Sequence, residues 1–329
     1  MSIAFRLPAF AAAILAACAF TGAAHAQTEI KLAYALAVNS HYGAGAAAWA
    51  ETTEKLSNGK LVFKQFPSSA LGGERETVES LQLGTLEAVI VSSGTLSNFV
   101  PEVGVTDIPF LFRDLQHARS VLDGKIGQDL LAKFPPRNLI ALAWGEQGFR
   151  HLTNSRHAVQ APVDMKGLKI RTMENPVHIT AFKTLGAAPT PMAWPEVIGA
   201  LQQGTIDGQE NPMSVIVSAK LAEVQKHLTL TGHVYSPAAL MVSPKLWNSL
   251  DEEGRKALTE GAKAGVAAMR AFVDDVEKKG VENVKAAGMN VVVLDDGAKA
   301  EFQKALEPAY KQYESRYGKA LIDGIANAR

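Results

Sequence analysis

The stretch ERETVESLQLGTLEAVIVSSG, residues 74–94, sets the architecture. Glu74 to Leu83 reads as a helix, with acids in its first turn where the helix dipole favours negative charge, and it stops at Gly84. Leu86 to Val91 follows as a near-continuous apolar run, the pattern of a strand buried on both faces. A helix that feeds directly into such a strand implies a largely parallel sheet covered by helices, an α/β fold.

The same grammar extends in both directions. Upstream, Ile30 to Ala35 is a strand and His41 to Leu56 a helix with Trp49 on its apolar stripe. Leu61 to Phe66 is an alternating strand stopped by Pro67. Downstream, Leu139 to Ala143, Leu168 to Thr172 and Thr205 to Gln209 read as strands. Pro195 to Gln203 is a helix with Pro at its start and Gly204 just past its end. Ser249-Leu250-Asp251-Glu252 has the form of a capping box and opens a long helix from Glu252 to Lys285. Val291 to Leu294 and Ala298 to Tyr317 complete the chain as a strand and a final helix. No solenoid repeat, low-complexity tract or Pro/Ser-rich linker interrupts it, so two domains joined by crossing strands are expected.

The first residues belong to another kind of segment. Arg6 is the only charge before an apolar run from Leu7 to Phe20, and Ala24-His25-Ala26 closes it. That is the pattern of a secretory signal peptide over residues 1–26, with export to the periplasm and a mature chain from Gln27. Leu15-Ala16-Ala17-Cys18 also resembles a lipoprotein site, with Cys18 as the lipid-bearing residue. Cys18 is the only cysteine, so the mature chain relies on an apolar core and not on disulfides. The 33 basic and 33 acidic residues balance; without Arg6 the count is 32 against 33, a net −1. Neither nucleic acid nor an anionic membrane surface is favoured by that balance.

Catalytic and metal signatures are sparse. The histidines form no H-x-H or H-x-x-x-H pair, and no metal or cofactor is expected. There is no G-x-S-x-G nucleophile motif and no phosphate-binding Gly loop with a following Lys. What stands out is polar side chains at strand ends: Arg150 after Gly145-Glu146-Gln147-Gly148-Phe149, Arg171 after Leu168-Lys169-Ile170, and Asn211 after Asp207-Gly208-Gln209-Glu210. Open α/β sheets bind ligands at the carboxyl ends of their strands. Two guanidinium forks and an amide there suit a carboxylate; equally, each Arg pairs with a structural acid.

These blocks carry a family resemblance. Phe66-Pro67-Ser68-Ser69, Leu71-Gly72-Gly73-Glu74-Arg75-Glu76, Pro109-Phe110-Leu111-Phe112 and Asp164 through Arg171 come first. Leu185 through Met192, Ala200 through Gly204, Asp207 through Pro212 and Glu223 through Lys226 follow in order. In this the chain resembles the DctP-type extracytoplasmic solute-binding subunits of tripartite ATP-independent periplasmic (TRAP) transporters, from about Ile30 to at least Trp247. The resemblance implies a two-lobed Venus-flytrap fold with hinge strands and a long interdomain helix. It places residues 27–147 with 237–276 in one lobe and 148–236 with 277–329 in the other. It implies Arg171 as the carboxylate grip, Asn211 and Arg150 as further contacts, and Trp194 as a packing surface. Glu74, Ser92, Ser93 and His41 fall where relatives read the far end of the ligand, and Tyr235 is either a pocket hydroxyl or a core aromatic. A small organic acid is the expected ligand, a hydroxylated sugar acid such as a uronate or aldonate; an aromatic or keto acid is the alternative. The membrane subunits of a TRAP transporter are the expected partner, with a sensing receptor as the alternative, and no enzymatic step is implied. Sialic acid is disfavoured, because Ser92 and Ala35 stand where sialic-acid binders carry an acid and an amide. Dimeric relatives have a longer C-terminal helical tail, so a monomer is expected.

Overall fold

A computed structural model describes residues 27–328 of the chain; the expected signal peptide and Cys18 lie outside them. The first elements are β1 (Thr28–Tyr34), α1 (His41–Leu56), β2 (Leu61–Phe66), α2 (Glu74–Leu83), β3 (Ala88–Ser92) and α3 (Ser93–Leu96). A 3-10 segment at Pro101–Asp107 leads to α4 (Leu115–Asp123) and α5 (Lys125–Leu131). Then come β4 (Ile140–Asn154), β5 (Lys169–Thr172), α6 (Pro176–Thr184), β6 (Ala188–Pro191), α7 (Trp194–Gln203), β7 (Gly208–Pro212) and α8 (Met213–Ser218). The chain finishes with β8 (His227–Val242), α9 (Pro244–Ser249), α10 (Glu252–Ala286), β9 (Asn290–Val293), α11 (Asp296–Ala305), α12 (Glu307–Tyr317) and α13 (Lys319–Ala326).

The strands form one sheet in the order β2-β1-β3-β8-β4-β7-β5-β6, with β9 beside β8. Two units emerge from the way β4 and β8 are shared. The Ala238–Val242 end of β8 pairs with β3, which continues in parallel to β1 and β2. Its His227–Leu230 end pairs with β9, while Arg150–Asn154 of β4 pairs with β7, which leads to β5 and β6. The two-lobed α/β arrangement is therefore present, and the link between lobes is the antiparallel β4–β8 ribbon. That ribbon changes register at Ala141/Ala143, Glu146/Gly148 and Arg150/Leu152. Gly148 sits at the central break with φ +106°, a backbone region that suits glycine.

Helix α10 runs 35 residues, about 50 Å, along this ribbon. Its glycines do not break it; they let neighbours approach. A Cβ at Gly261 would lie 2.1 Å from Thr53 Oγ1 and 2.9 Å from the Trp49 carbonyl oxygen, so α1 packs there almost backbone to backbone. Trp49, fully buried, donates from its indole to the Leu258 carbonyl at 3.0 Å. Gly280 makes the same kind of room for Met213 of α8.

Four expectations shift. The strand expected at 139–143 starts at Ile140 and continues to Asn154, because its pairing with β8 runs on through three register shifts. The strand expected at Thr205–Gln209 starts only at Gly208. Asp251, not Ser249, caps α10, accepting from Gly254 N at 2.8 Å, while Ser249 Oγ donates to Leu246 O in α9. The final helix is cut at Leu306, where Pro308 at the start of α12 supplies no N–H.

The C-terminal helices also depart from the expected boundary, which assigned 277–329 wholly to the second lobe. Tyr313 Oη donates to Val177 O of α6, in the second lobe, while Tyr310 Oη donates to Pro109 O. Arg113, just before α4, holds the Ala326 and Ala328 carbonyls, and His117 of α4 meets Ile325 O at 2.9 Å. Residues 307–328 therefore strap across both units.

Candidate functional site

Loops from both units meet over the carboxyl ends of β1, β3, β5 and β6, where a parallel sheet places ligands. They enclose a crevice of about 540 Å³ including its mouth. Arg171, the third residue of β5, enters from the second unit. Its Nε and Nη2 donate to the Met192 carbonyl at 2.9 and 2.7 Å, which fixes the plane of the guanidinium. The guanidinium carbon lies 5.9 Å from the centre of the Trp194 ring, at the first turn of α7. Two of its five N–H groups are thus used on a neutral carbonyl, and among the described residues it forms no ion pair. Burial, reinforced by repulsion from Arg150, lowers Arg171 to about 10; Glu210, Glu74 and Glu174 oppose that shift. It therefore carries its charge at neutral pH.

Glu74 faces this charge from the first unit. It is the first residue of α2, and its carboxylate is held by Ser92 N (3.0 Å), Thr95 Oγ1 (2.6 Å) and Tyr42 Oη (3.4 Å). Burial raises Glu74 above the ordinary carboxylate value, while those donors and Arg171 pull it back. Ser92 and Gln147 line the floor, with Gln147 Nε2 donating to the Ser92 hydroxyl at 2.8 Å and to that of the buried Ser236 at 3.0 Å. Asn211, at the end of β7, lines the crevice and donates its amide to Gln209 Oε1.

Arg150 borders the crevice, but most of its fork is already committed. Nε and Nη2 grip Glu210 Oε2 and Oε1 at 2.5 and 2.8 Å; Nη2 also reaches Glu210 O, and Nη1 reaches Ser236 Oγ at 3.3 Å. Both partners of this pair are sealed from water. Burial acts to raise Glu210, yet Arg150, His178 and His233 outweigh it and hold the carboxylate well below its usual value. The structural-pair reading of Arg150 is met, and one Nη1 hydrogen remains for a ligand. Expected as a further ligand contact, Arg150 lines the crevice but is chiefly the counter-ion of Glu210 on β7.

Three other expected contacts lie elsewhere. His41 is fully buried at the start of α1, 4.7 Å from the Tyr42 ring and 6.2 Å from that of Phe272, and does not line the crevice. Burial pushes it down to about 3, so it is neutral. Ser93 turns away as the first residue of α3 and donates to Asp107 Oδ1 at 2.9 Å. Tyr235 is a core aromatic whose hydroxyl donates to Glu146 Oε2 at 2.9 Å. For Ser93 the backbone turn at the end of β3 decides which neighbour faces in. Sequence reading passed over Tyr42, Thr95, Gln147, Met173 and Met192, which do line the crevice. Gln147 and Met192 had a visible signal, since they sit inside the Gly145–Phe149 and Leu185–Met192 blocks. Among the described residues, no group of three or more His, Cys, Asp or Glu is placed to hold a metal ion. No described helix is long and apolar enough to cross a membrane.

Two α/β units that share a bent ribbon and close one charged crevice between them define a solute-binding protein. Residues 32–316 match the family described as bacterial extracellular solute-binding protein, family 7 (DctP), and the chain belongs to that family, the solute-binding subunits of TRAP transporters. A solute-binding protein of Verminephrobacter eiseniae is 51% identical over 306 residues, 93% of this chain and 91% of that one. Among solved structures, a TRAP periplasmic solute-binding protein from Bordetella bronchispeptica, with density assigned as pantoate, is 58% identical. Its TM-score is 0.90, with coverage of 92% of this chain and 100% of that one. Another from Polaromonas sp. JS666, bound to D-erythronate, is 50% identical with a TM-score of 0.90, covering 92% and 99%.

Proposed function

We propose that this protein captures a small hydroxylated monocarboxylic acid in the periplasm and presents it to the membrane subunits of a TRAP transporter. The observation that carries this reading is Arg171: a buried, planar, charged fork pinned by a neutral carbonyl, aimed into a crevice, with no acid mated to it among the described residues. A ligand carboxylate completes it through charge-assisted hydrogen bonds of ~1.5–3 kcal/mol each. Glu74, Ser92, Gln147 and Asn211 offer acceptors and donors suited to hydroxyls along the rest of the chain. Pantoate, assigned to density in the Bordetella protein, and D-erythronate, bound by the Polaromonas one, share a four-carbon backbone with hydroxyls at C2 and C4, the chemistry these groups would recognise.

Because Arg171 comes from one unit and Glu74 from the other, a ligand that touches both favours their approach, and binding shifts a hinge equilibrium. The membrane subunits then recognise the closed form. The test is a thermal-shift and calorimetry panel of aldonates, uronates, pantoate and dicarboxylates on the secreted protein. A concentration-dependent upshift with unchanged ligand recovered afterwards supports capture. A flat response to every organic acid overturns it, and consumption of the ligand makes the protein an enzyme.

A further inference from the structure

We propose that Glu74 is a charge filter that restricts the crevice to monocarboxylates and rejects dicarboxylates of the same length. The proposal deepens the reading above and rests on Arg171 as the carboxylate grip. It follows from the charges around the crevice. The Arg150 charge is cancelled by Glu210 at 2.5 Å inside the wall. Arg75 lies at the rim, half-exposed, 3.3 Å from Glu79. That leaves Arg171 as the one interior cation without an acid partner among the described residues, faced by Glu74 and, nearer the rim, Glu174. One incoming carboxylate uses the only available positive charge; a second meets negative charge alone.

Geometry makes Glu74 unable to step aside. Its carboxylate accepts from three groups on three different elements, the Tyr42 hydroxyl of α1, the Ser92 amide of β3 and the Thr95 hydroxyl of α3. All three are donors to the carboxylate, which favours its ionised form. A carboxylate has about four acceptor positions, so roughly one is left, and it calls for a donor. A ligand hydroxyl supplies that proton. A ligand carboxylate supplies none and brings like charge into a site screened from water, where repulsion is strong.

The experiment is calorimetry at neutral pH with two sets of acids built on a four-carbon backbone, D-erythronate and pantoate against succinate and malate. The wild-type protein is expected to bind the better monoacid at least about a hundredfold more tightly than either diacid. Glu74→Gln keeps the shape and removes the charge, and is expected to narrow that ratio at least about tenfold, mainly through gained diacid affinity. Glu74→Asp keeps the charge and is expected to keep the rejection. Wild-type affinities for mono- and diacids within tenfold of each other overturn the filter, and so does an unchanged ratio in Glu74→Gln. The wild-type ratio is decisive even where a variant fails to fold. Diacids binding alone sink the filter and leave acid capture standing, whereas no binding of any acid sinks both.

Discussion

Replacing Arg171 with lysine separates a fork from a point charge. The guanidinium has five N–H donors, and the Met192 carbonyl takes two of them at 2.9 and 2.7 Å. Three remain, enough for a paired, two-point contact with a carboxylate. An ammonium at the end of a flexible stem keeps the charge but spends one donor on Met192 O and loses the fixed plane. At least one charge-assisted bond is forfeited, ~1.5–3 kcal/mol, which corresponds to a loss of about ten- to hundredfold in affinity. Arg171→Ala removes both bonds and the charge, so its loss is at least ~2 kcal/mol, about thirtyfold, even after water refills the space. Titration calorimetry with D-erythronate, or with whichever acid gives the largest thermal upshift, measures both variants against wild type. Salt is held constant, although a charge this deeply buried is little screened. A lysine variant that binds within threefold of wild type refutes the two-point grip.

Glu210→Gln leaves Arg150 charged and unpaired in the wall, at an expected cost of ~3–5 kcal/mol in stability, read as a lowered urea midpoint; an unchanged midpoint contradicts it. Gly261→Ala drives a methyl into Thr53 and Trp49, an expected ~1–3 kcal/mol loss visible as a lower melting temperature, and Gly288→Ala on the open surface is no control, because its φ is +95°. His41 is neutral in the fold, with its value lowered from 6.5 to about 3, so its contribution is fully present above about 6.5 and is lost as pH falls through that window. At pH 5 the loss is ~2 kcal/mol relative to pH 8, and His41→Phe is expected to flatten that part of the stability profile.

The local grammar of the chain carried the architecture well. Residues 74–94 form a helix and a buried strand close to where acids, Gly84 and the apolar run place them. Strand β4 was read short because nothing local shows that the chain stays in the ladder past Ala143; the bulges that carry it on are set by a partner strand, β8, some 90 residues away. The site was legible in part for the same reason. Arg171, Glu74, Asn211, Ser92 and Trp194 all line the crevice. Arg150 and Glu210 are 60 positions apart, and their pairing depends on a β4–β7 register that no local pattern encodes. Ser92 and Ser93 are chemically alike, yet one faces the crevice and the other Asp107, because a strand ends and a helix begins between them.

The long β4–β8 ribbon has a mechanical consequence. Two hydrogen-bonded strands fold readily across their broad face, least stiffly where a bulge has already broken the ladder, and resist sliding past each other in their own plane. Gly148 marks the middle of three such breaks, so bending of the ribbon is concentrated over the short stretch that joins the jaw bearing Arg171 to the jaw bearing Glu74.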